Sequence, residues 1–219
     1  MHLIQRRGGA TRRVCSTLRP SLPDAFDWHA MFDEKRSWAG DAALIRNLRS
    51  NHAGETGAVF IYKGAIAAMG VMPSRYLPDT HRFAATHLQA EVEHLAYFER
   101  LLDQKMKSIL VPLWRISGFC LGFFPTLLFG EKALFVTVEA VETFVEVHYE
   151  EQIHPLEKIG AYPHLVSLLR HCCEEEVNHK KDALARWLKE GEVRPWYSLL
   201  WARVVERGSQ LAVFVCRRI

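Results

Sequence analysis

Glu91-Val92-Glu93-His94 and a second copy of the same spacing, Glu176-Val177-Asn178-His179, stand 85 residues apart in the chain. On an α-helix residues i and i+3 share a face, so Glu91 stands beside His94 and Glu176 beside His179. A lone E-x-x-H means little, because Glu and His are common on solvated helix faces. Here each copy is preceded by a further glutamate: Glu55 lies 36 residues before Glu91, and Glu142 lies 34 residues before Glu176. Two single glutamates and two E-x-x-H pairs, carried on four helices, make up the ligand set of a carboxylate-rich bundle that holds two iron ions. The expected fold is therefore all-α, a ferritin-like four-helix bundle with a di-iron site.

The helices can be placed around these residues by their apolar period. The first long helix is expected over 41–70, capped by Asp41, with Leu44, Leu48, Glu55, Val59, Tyr62, Ile66 and Met69 on one stripe. Glu55 sits inside that stripe, where a charge is costly unless paired or bound to metal, and His52 one turn earlier can also reach the core. The second is expected over 80–107 with Asp79 as its cap, and its stripe reads Phe83, His87, Glu91, His94, Phe98, Leu101. The third, 131–153, is expected to stop before Pro155, and the fourth runs over 163–190 behind Pro163. In the third helix Glu139 and Glu146 lie one turn either side of Glu142. The internal repeat selects Glu142, because Glu55 and Glu142 each have a tyrosine seven residues on, Tyr62 and Tyr149. Glu93, Glu174 and Glu175 fall off the stripes and read as solvated charges.

Between the second and third helices lies the most hydrophobic segment, 109–130, ILVPLWRISGFCLGFFPTLLFG. It is about long enough to span a bilayer, but Pro112, Pro125, Gly118, Gly122 and Arg115 speak against a simple span. A crossover or in-plane membrane-docking segment is favoured over a buried crossover or a transmembrane helix. The end of the chain, 195–219, is amphipathic, with tryptophans and arginines suited to a membrane surface or to a fifth helix packed on the bundle.

At 219 residues, about half of them hydrophobic, one domain with a full core is expected. The division is a basic leader and irregular lead-in over 1–40, then the di-iron domain over 41–219. The formal charge is +3, but five arginines and no acid fall in the first 23 residues, leaving 23 basic against 25 acidic residues elsewhere. No nucleic-acid footprint results, and the leader reads as a mitochondrial transit peptide or as a plain basic tail. The five cysteines form no C-x-x-C and read as small apolar filler.

The chemistry follows from the residue types. Four ionised carboxylates in a dry bundle repel one another until some take up protons, whereas two Fe²⁺ ions would neutralise all four. Six donors for two ions leave room for O₂, and zinc would be expected to favour more His or Cys.

The chain also resembles the demethoxyubiquinone hydroxylases of ubiquinone biosynthesis over about residues 42–219. The stretches NHAGETGAVFIY around Glu55, QAEVEHL around His94, VPLWRISGFCLG, HYEEQI after Glu142 and EEEVNHKKDA around His179 carry the resemblance. It implies iron ligands at Glu55, Glu91, His94, Glu142, Glu176 and His179, the six that the spacing selects. It implies O₂-dependent hydroxylation of a demethoxylated polyprenyl quinol, one oxygen atom entering the ring and the other leaving as water. Electrons would come from NADH or a reduced quinone. It further implies a peripheral protein on the matrix side of the mitochondrial inner membrane, or on the cytoplasmic membrane of a bacterium. A lipid-binding accessory protein and other enzymes of ubiquinone biosynthesis are the implied partners, and homo-oligomerisation is left open. Tyr62, His148 and Tyr149, one to two turns from ligands, are expected as hydrogen-bonding or electron-relay groups behind the metals, against a reading as simple core. Iron storage, a membrane quinol oxidase and a non-catalytic scaffold of the biosynthetic complex are the competing readings. The apolar 109–130 segment fits the first badly, the second lacks the HAGE motif, and a scaffold would not need all six ligands.

Overall fold

The computed structural model describes residues 26–189 and 191–219, and among these the chain forms seven α-helices and no strand. They are α1 (Trp28–Trp38), α2 (Ala42–Val71), α3 (Pro78–Leu101), α4 (Val111–Phe129), α5 (Glu131–Ile159), α6 (Pro163–Trp187) and α7 (Trp196–Cys216). The basic leader lies outside the described residues.

The four long helices α2, α3, α5 and α6 make the bundle. Short connections set α3 antiparallel to α2 and α6 antiparallel to α5, while contacts such as Asn51 to Gln152 and Glu55 to Tyr149 set α5 antiparallel to α2. α3 and α5 therefore run the same way, and the chain must climb back along the bundle between them. α4 makes that climb, its 19 residues spanning about 29 Å at 1.5 Å per residue. It runs parallel to α2, with Gly118 against the Gly57 carbonyl and Gly122 against that of Ile61; a Cβ at either glycine would collide with the α2 backbone. At its C-terminal end the Arg75 guanidinium donates to the carbonyls of Leu127 and Leu128, and Tyr76 Oη donates to that of Thr126. The 109–130 segment is thus a crossover seated on the bundle, and its outer face leaves Ile116, Phe124, Leu128 and Phe129 exposed.

Several expectations need correction. Residues 28–38 are helical rather than irregular: Asp27 caps Ala30, and Met31 and Trp38 are fully buried at one end of the bundle. From α1, Glu34 accepts hydrogen bonds from the backbone N–H groups of His164 and Leu165, satisfying the first turn of α6. Asp41 caps α2 through Ala43 and Leu44 as expected. Asp79 is not the cap of α3, however, because Pro78 already occupies its first position and Asp79 lies in the first turn. α3 ends at Leu101 rather than 107. α5 runs through Pro155 to Ile159, since the only carbonyl the proline deprives is that of Glu151, on the exposed side. It stops at Gly160, in the left-handed conformation at φ 64°, with Ala161 N–H returning to the Leu156 carbonyl. α7 packs on α5, burying Val205 and bonding Trp201 Nε1 to Thr137 Oγ1, while Trp196, Leu200, Leu211 and Phe214 stay exposed.

Candidate metal centre

All six glutamates and histidines singled out by spacing meet in the middle of the bundle, each less than a tenth exposed. They fall into two overlapping sets of donor atoms. Glu55, Glu91, His94 and Glu176 converge on one point, and Glu91, Glu142, Glu176 and His179 on another, the donors within each set lying within 4.8 Å of one another. Glu91 and Glu176, from the two E-x-x-H motifs, belong to both.

These donors satisfy one another poorly. Glu55 Oε2, both Glu91 oxygens, His94 Nδ1 and Glu176 Oε1 are buried without a hydrogen-bond partner among the described residues. His94 Nδ1 and Glu176 Oε1 lie 2.8 Å apart, yet are misaligned for a hydrogen bond. Buried polar atoms are almost always paired, so donors aimed at a shared point rather than at each other fit a pair of metal ions. All the donors are oxygens and imidazole nitrogens, a set suited to iron. The protonation pattern follows from the same crowding. Burial, with Glu176 adding to it, pushes the Glu91 carboxyl up to about 8, and burial and the neighbouring carboxylates hold Glu142 well above its usual range. Burial would raise Glu176 as well, but His94 and His179 beside it pull it below the normal carboxylate range. Burial works against a proton on His179, and Glu176 outweighs it, raising that imidazole to about 10.

The register of α5 is legible in the ion pairs. Glu139 is taken by Arg194 and by Trp187 Nε1, and Glu146 by Lys180, so Glu142 alone of the three enters the cluster. Tyr149 Oη donates to Glu55 Oε1 at 2.5 Å, leaving the other carboxylate oxygen toward the donor set. His148 lies farther out, its Nε2 3.0 Å from Ser50 Oγ. Because Ser50 spends its own proton on the Asn47 carbonyl, His148 must be the donor to Ser50. Tyr62 stacks on His87 and packs against Phe83, and its hydroxyl has no partner among the described residues.

Two groups, Glu175 and the Asn51–Gln152 pair, escaped the sequence reading, and His87, already on the α3 stripe, gains partners there that its spacing did not name. Glu175, read as solvated, is buried and accepts from His94 Nε2 at 2.6 Å. Its spacing was a usable signal, since Cys172, Glu175 and His179 step by three and four along one edge of the α6 stripe. His87 packs edge-on against the His179 ring at 4.3 Å and bonds to Asp182 at 3.0 Å. Asn51 and Gln152 form a reciprocal buried amide pair one turn below Glu55. Glu93 and Glu174 are exposed, as expected.

A cavity of about 430 Å³ opens onto the carboxylates and runs outward between α4 and α7. Glu55, Glu91, Glu142 and Glu176 line its inner end, while Leu121, Val141, Val145, Val204, Val205 and Val213 make most of its wall apolar. A wider groove between α5, α6 and α7 reaches none of the six donors.

Comparison with known proteins gives the family. The family model described as ubiquinone biosynthesis protein COQ7 matches residues 42–216. The chain is 34% identical over 183 residues to the 3-demethoxyubiquinol 3-hydroxylase of Rhodospirillum rubrum, covering 81% of this chain and 80% of that protein. It is 33% identical over 181 residues to the mitochondrial NADPH-dependent 3-demethoxyubiquinone 3-hydroxylase of Mus musculus, covering 81% and 78%. The human protein of the same name is 32% identical over 182 residues, covering 81% and 79%. With a match that spans α2 to the end of α7 and takes in every donor of the cluster, the chain belongs to the ubiquinone biosynthesis protein COQ7 family, whose named relatives are hydroxylases.

Proposed function

We propose that this hydroxylase inserts an oxygen atom from O₂ into the ring of a demethoxylated polyprenyl quinol, at a di-iron centre held by Glu55, Glu91, His94, Glu142, Glu176 and His179. The single observation that carries the reading is the opening of an apolar cavity directly onto two converging donor sets that share Glu91 and Glu176. When bound, the iron pair would supply the redox chemistry that activates O₂, with electrons from a nicotinamide nucleotide or a reduced quinone.

The chain's own residues do the rest. Val141, Val145 and Val205 exclude water from the approach to the carboxylates, which strengthens every charge interaction inside. Tyr149 holds one oxygen of Glu55 in place. Glu91 and Glu142, kept protonated by burial in the metal-free protein, would give up protons as the ions bind. Neutral His148, its pKa lowered to about 4 by burial, faces the same cavity, and with Nε2–H committed to Ser50 its Nδ1 is left as an acceptor that a quinol hydroxyl could use. The cavity leaves the bundle between α4 and α7, whose outer faces carry Phe124, Leu128, Leu211 and Phe214 exposed. Those faces would dock on a membrane and admit the isoprenoid tail sideways. The names of the eukaryotic relatives favour mitochondria as the location.

Quinone profiling in a strain lacking its own hydroxylase tests the proposal. Expression of this chain should convert accumulated demethoxyubiquinone to ubiquinone. Unchanged accumulation with the protein folded and iron-loaded would favour the scaffold reading.

A further inference from the structure

The two donor sets use the same residue types and differ most behind their histidines. His94 turns Nδ1 toward the carboxylates and Nε2 toward Glu175, whose Oε2 it meets at 2.6 Å in a site buried on every side. The same Glu175 oxygen lies 3.5 Å from His171 Nε2, so one carboxylate faces two imidazoles. His179 also turns Nδ1 inward, 3.1 Å from Glu91 and 3.0 Å from Glu176. Behind it packs the ring of His87, and Asp182, three residues on in α6, is engaged by His87 and Arg186. Each imidazole would hold a metal through a bare nitrogen and so carry its proton on the other. A carboxylate accepting that proton makes the ring a stronger donor and fixes its tautomer and orientation.

We infer that Glu175 makes the two metal positions unequal, the ion on Glu55, Glu91, His94 and Glu176 being held more tightly than the ion on Glu91, Glu142, Glu176 and His179. The inference rests on the di-iron reading of the site and adds to it an order of affinity. Glu175 is a positioning residue here: it touches no metal and acts through His94. Tyr149 works in the same direction by pinning Glu55, a donor of the tighter position only.

Release of Fe(II) to excess ferrozine, from protein loaded anaerobically, reads the inequality without turnover. The parent should load two irons and lose them in two phases of equal amplitude. Glu175→Gln keeps the shape and an acceptor but removes the charge. It should accelerate the slow phase by about 10- to 100-fold, the usual effect of losing such a partner, and leave the fast phase alone. Glu174→Gln, at the exposed neighbour, should change neither. An independent arm does not depend on how Glu175→Gln folds: Glu142→Gln damages only the weaker position, so it should retain one iron that leaves at the parent's slow rate. Two irons leaving the parent in one phase, a slow phase untouched in folded Glu175→Gln, or fast loss from Glu142→Gln would overturn the inference alone. A parent that binds fewer than two irons would overturn the di-iron reading with it.

Discussion

Replacing Glu91 by Gln tests the tension between stability and metal binding at the centre of the bundle. In the metal-free protein the Glu91 carboxyl is raised from 4.5 to about 8, burial being the main cause. The folded state therefore holds this proton more tightly than the unfolded chain. Below pH 4.5 both states are protonated and the group is neutral in its effect on folding. As pH climbs toward 8 the unfolded chain ionises first, and the folded state loses about 1.4 kcal/mol per pH unit. The loss reaches about 3 kcal/mol at pH 7 and levels off near about 5 kcal/mol above pH 8. Gln cannot ionise and removes this dependence, at the cost of a buried amide with incomplete partners, about 1–3 kcal/mol. Glu91→Gln should thus be less stable than the parent at pH 5 and more stable at pH 8, the two curves crossing between. Denaturant melts of chelator-treated protein at pH 5, 6, 7 and 8, followed by helical circular dichroism, measure the difference directly. Fe(II) should then stabilise the parent strongly and the variant little. A parent–variant difference that stays flat with pH would refute the reasoning.

Three further outcomes follow from the same geometry. Glu142→Gln should abolish hydroxylation while Glu146→Gln, which breaks only a partly buried pair with Lys180 outside the cluster, should retain most of it; quinone profiles of the complemented strain decide. Gly122→Val should destabilise the protein by about 3 kcal/mol or more, because its side chain would be built into the Ile61 carbonyl and must push α4 off α2; urea melts give the value. The protein should co-sediment with vesicles in high salt and be released by detergent, since the exposed faces of α4 and α7 are mainly apolar; Phe124→Ser with Leu128→Ser should weaken that binding.

The sequence made the cluster legible because burying charge is costly. Glu55, Glu91, His94, Glu142, Glu176 and His179 stand on apolar stripes where an unpaired charge is costly, and the E-x-x-H spacing occurs twice. The crossover was readable for a similar reason, since α3 and α5 cannot run the same way without a connecting segment as long as 109–130. What escaped was decided by partners far away in the chain. Glu175 lies beside the stripe rather than on it, and only the close approach of α3 brings His94 Nε2 to it. α1 was hidden because its short apolar spacing, Met31 to Trp38, acquires meaning only when the end of the bundle is there to receive it. Pro155 misled as a stop signal because it and Glu151, whose carbonyl it deprives, lie on the exposed side of α5.

The most direct test of the central claim is isotopic. Iron-loaded protein in lipid nanodiscs, given a demethoxylated quinol, a reductant and ¹⁸O₂, should yield a ring-hydroxylated product carrying one ¹⁸O atom by mass spectrometry, and no product when iron is withheld. A product whose new oxygen comes from H₂¹⁸O instead, or equal turnover without iron, would contradict the account.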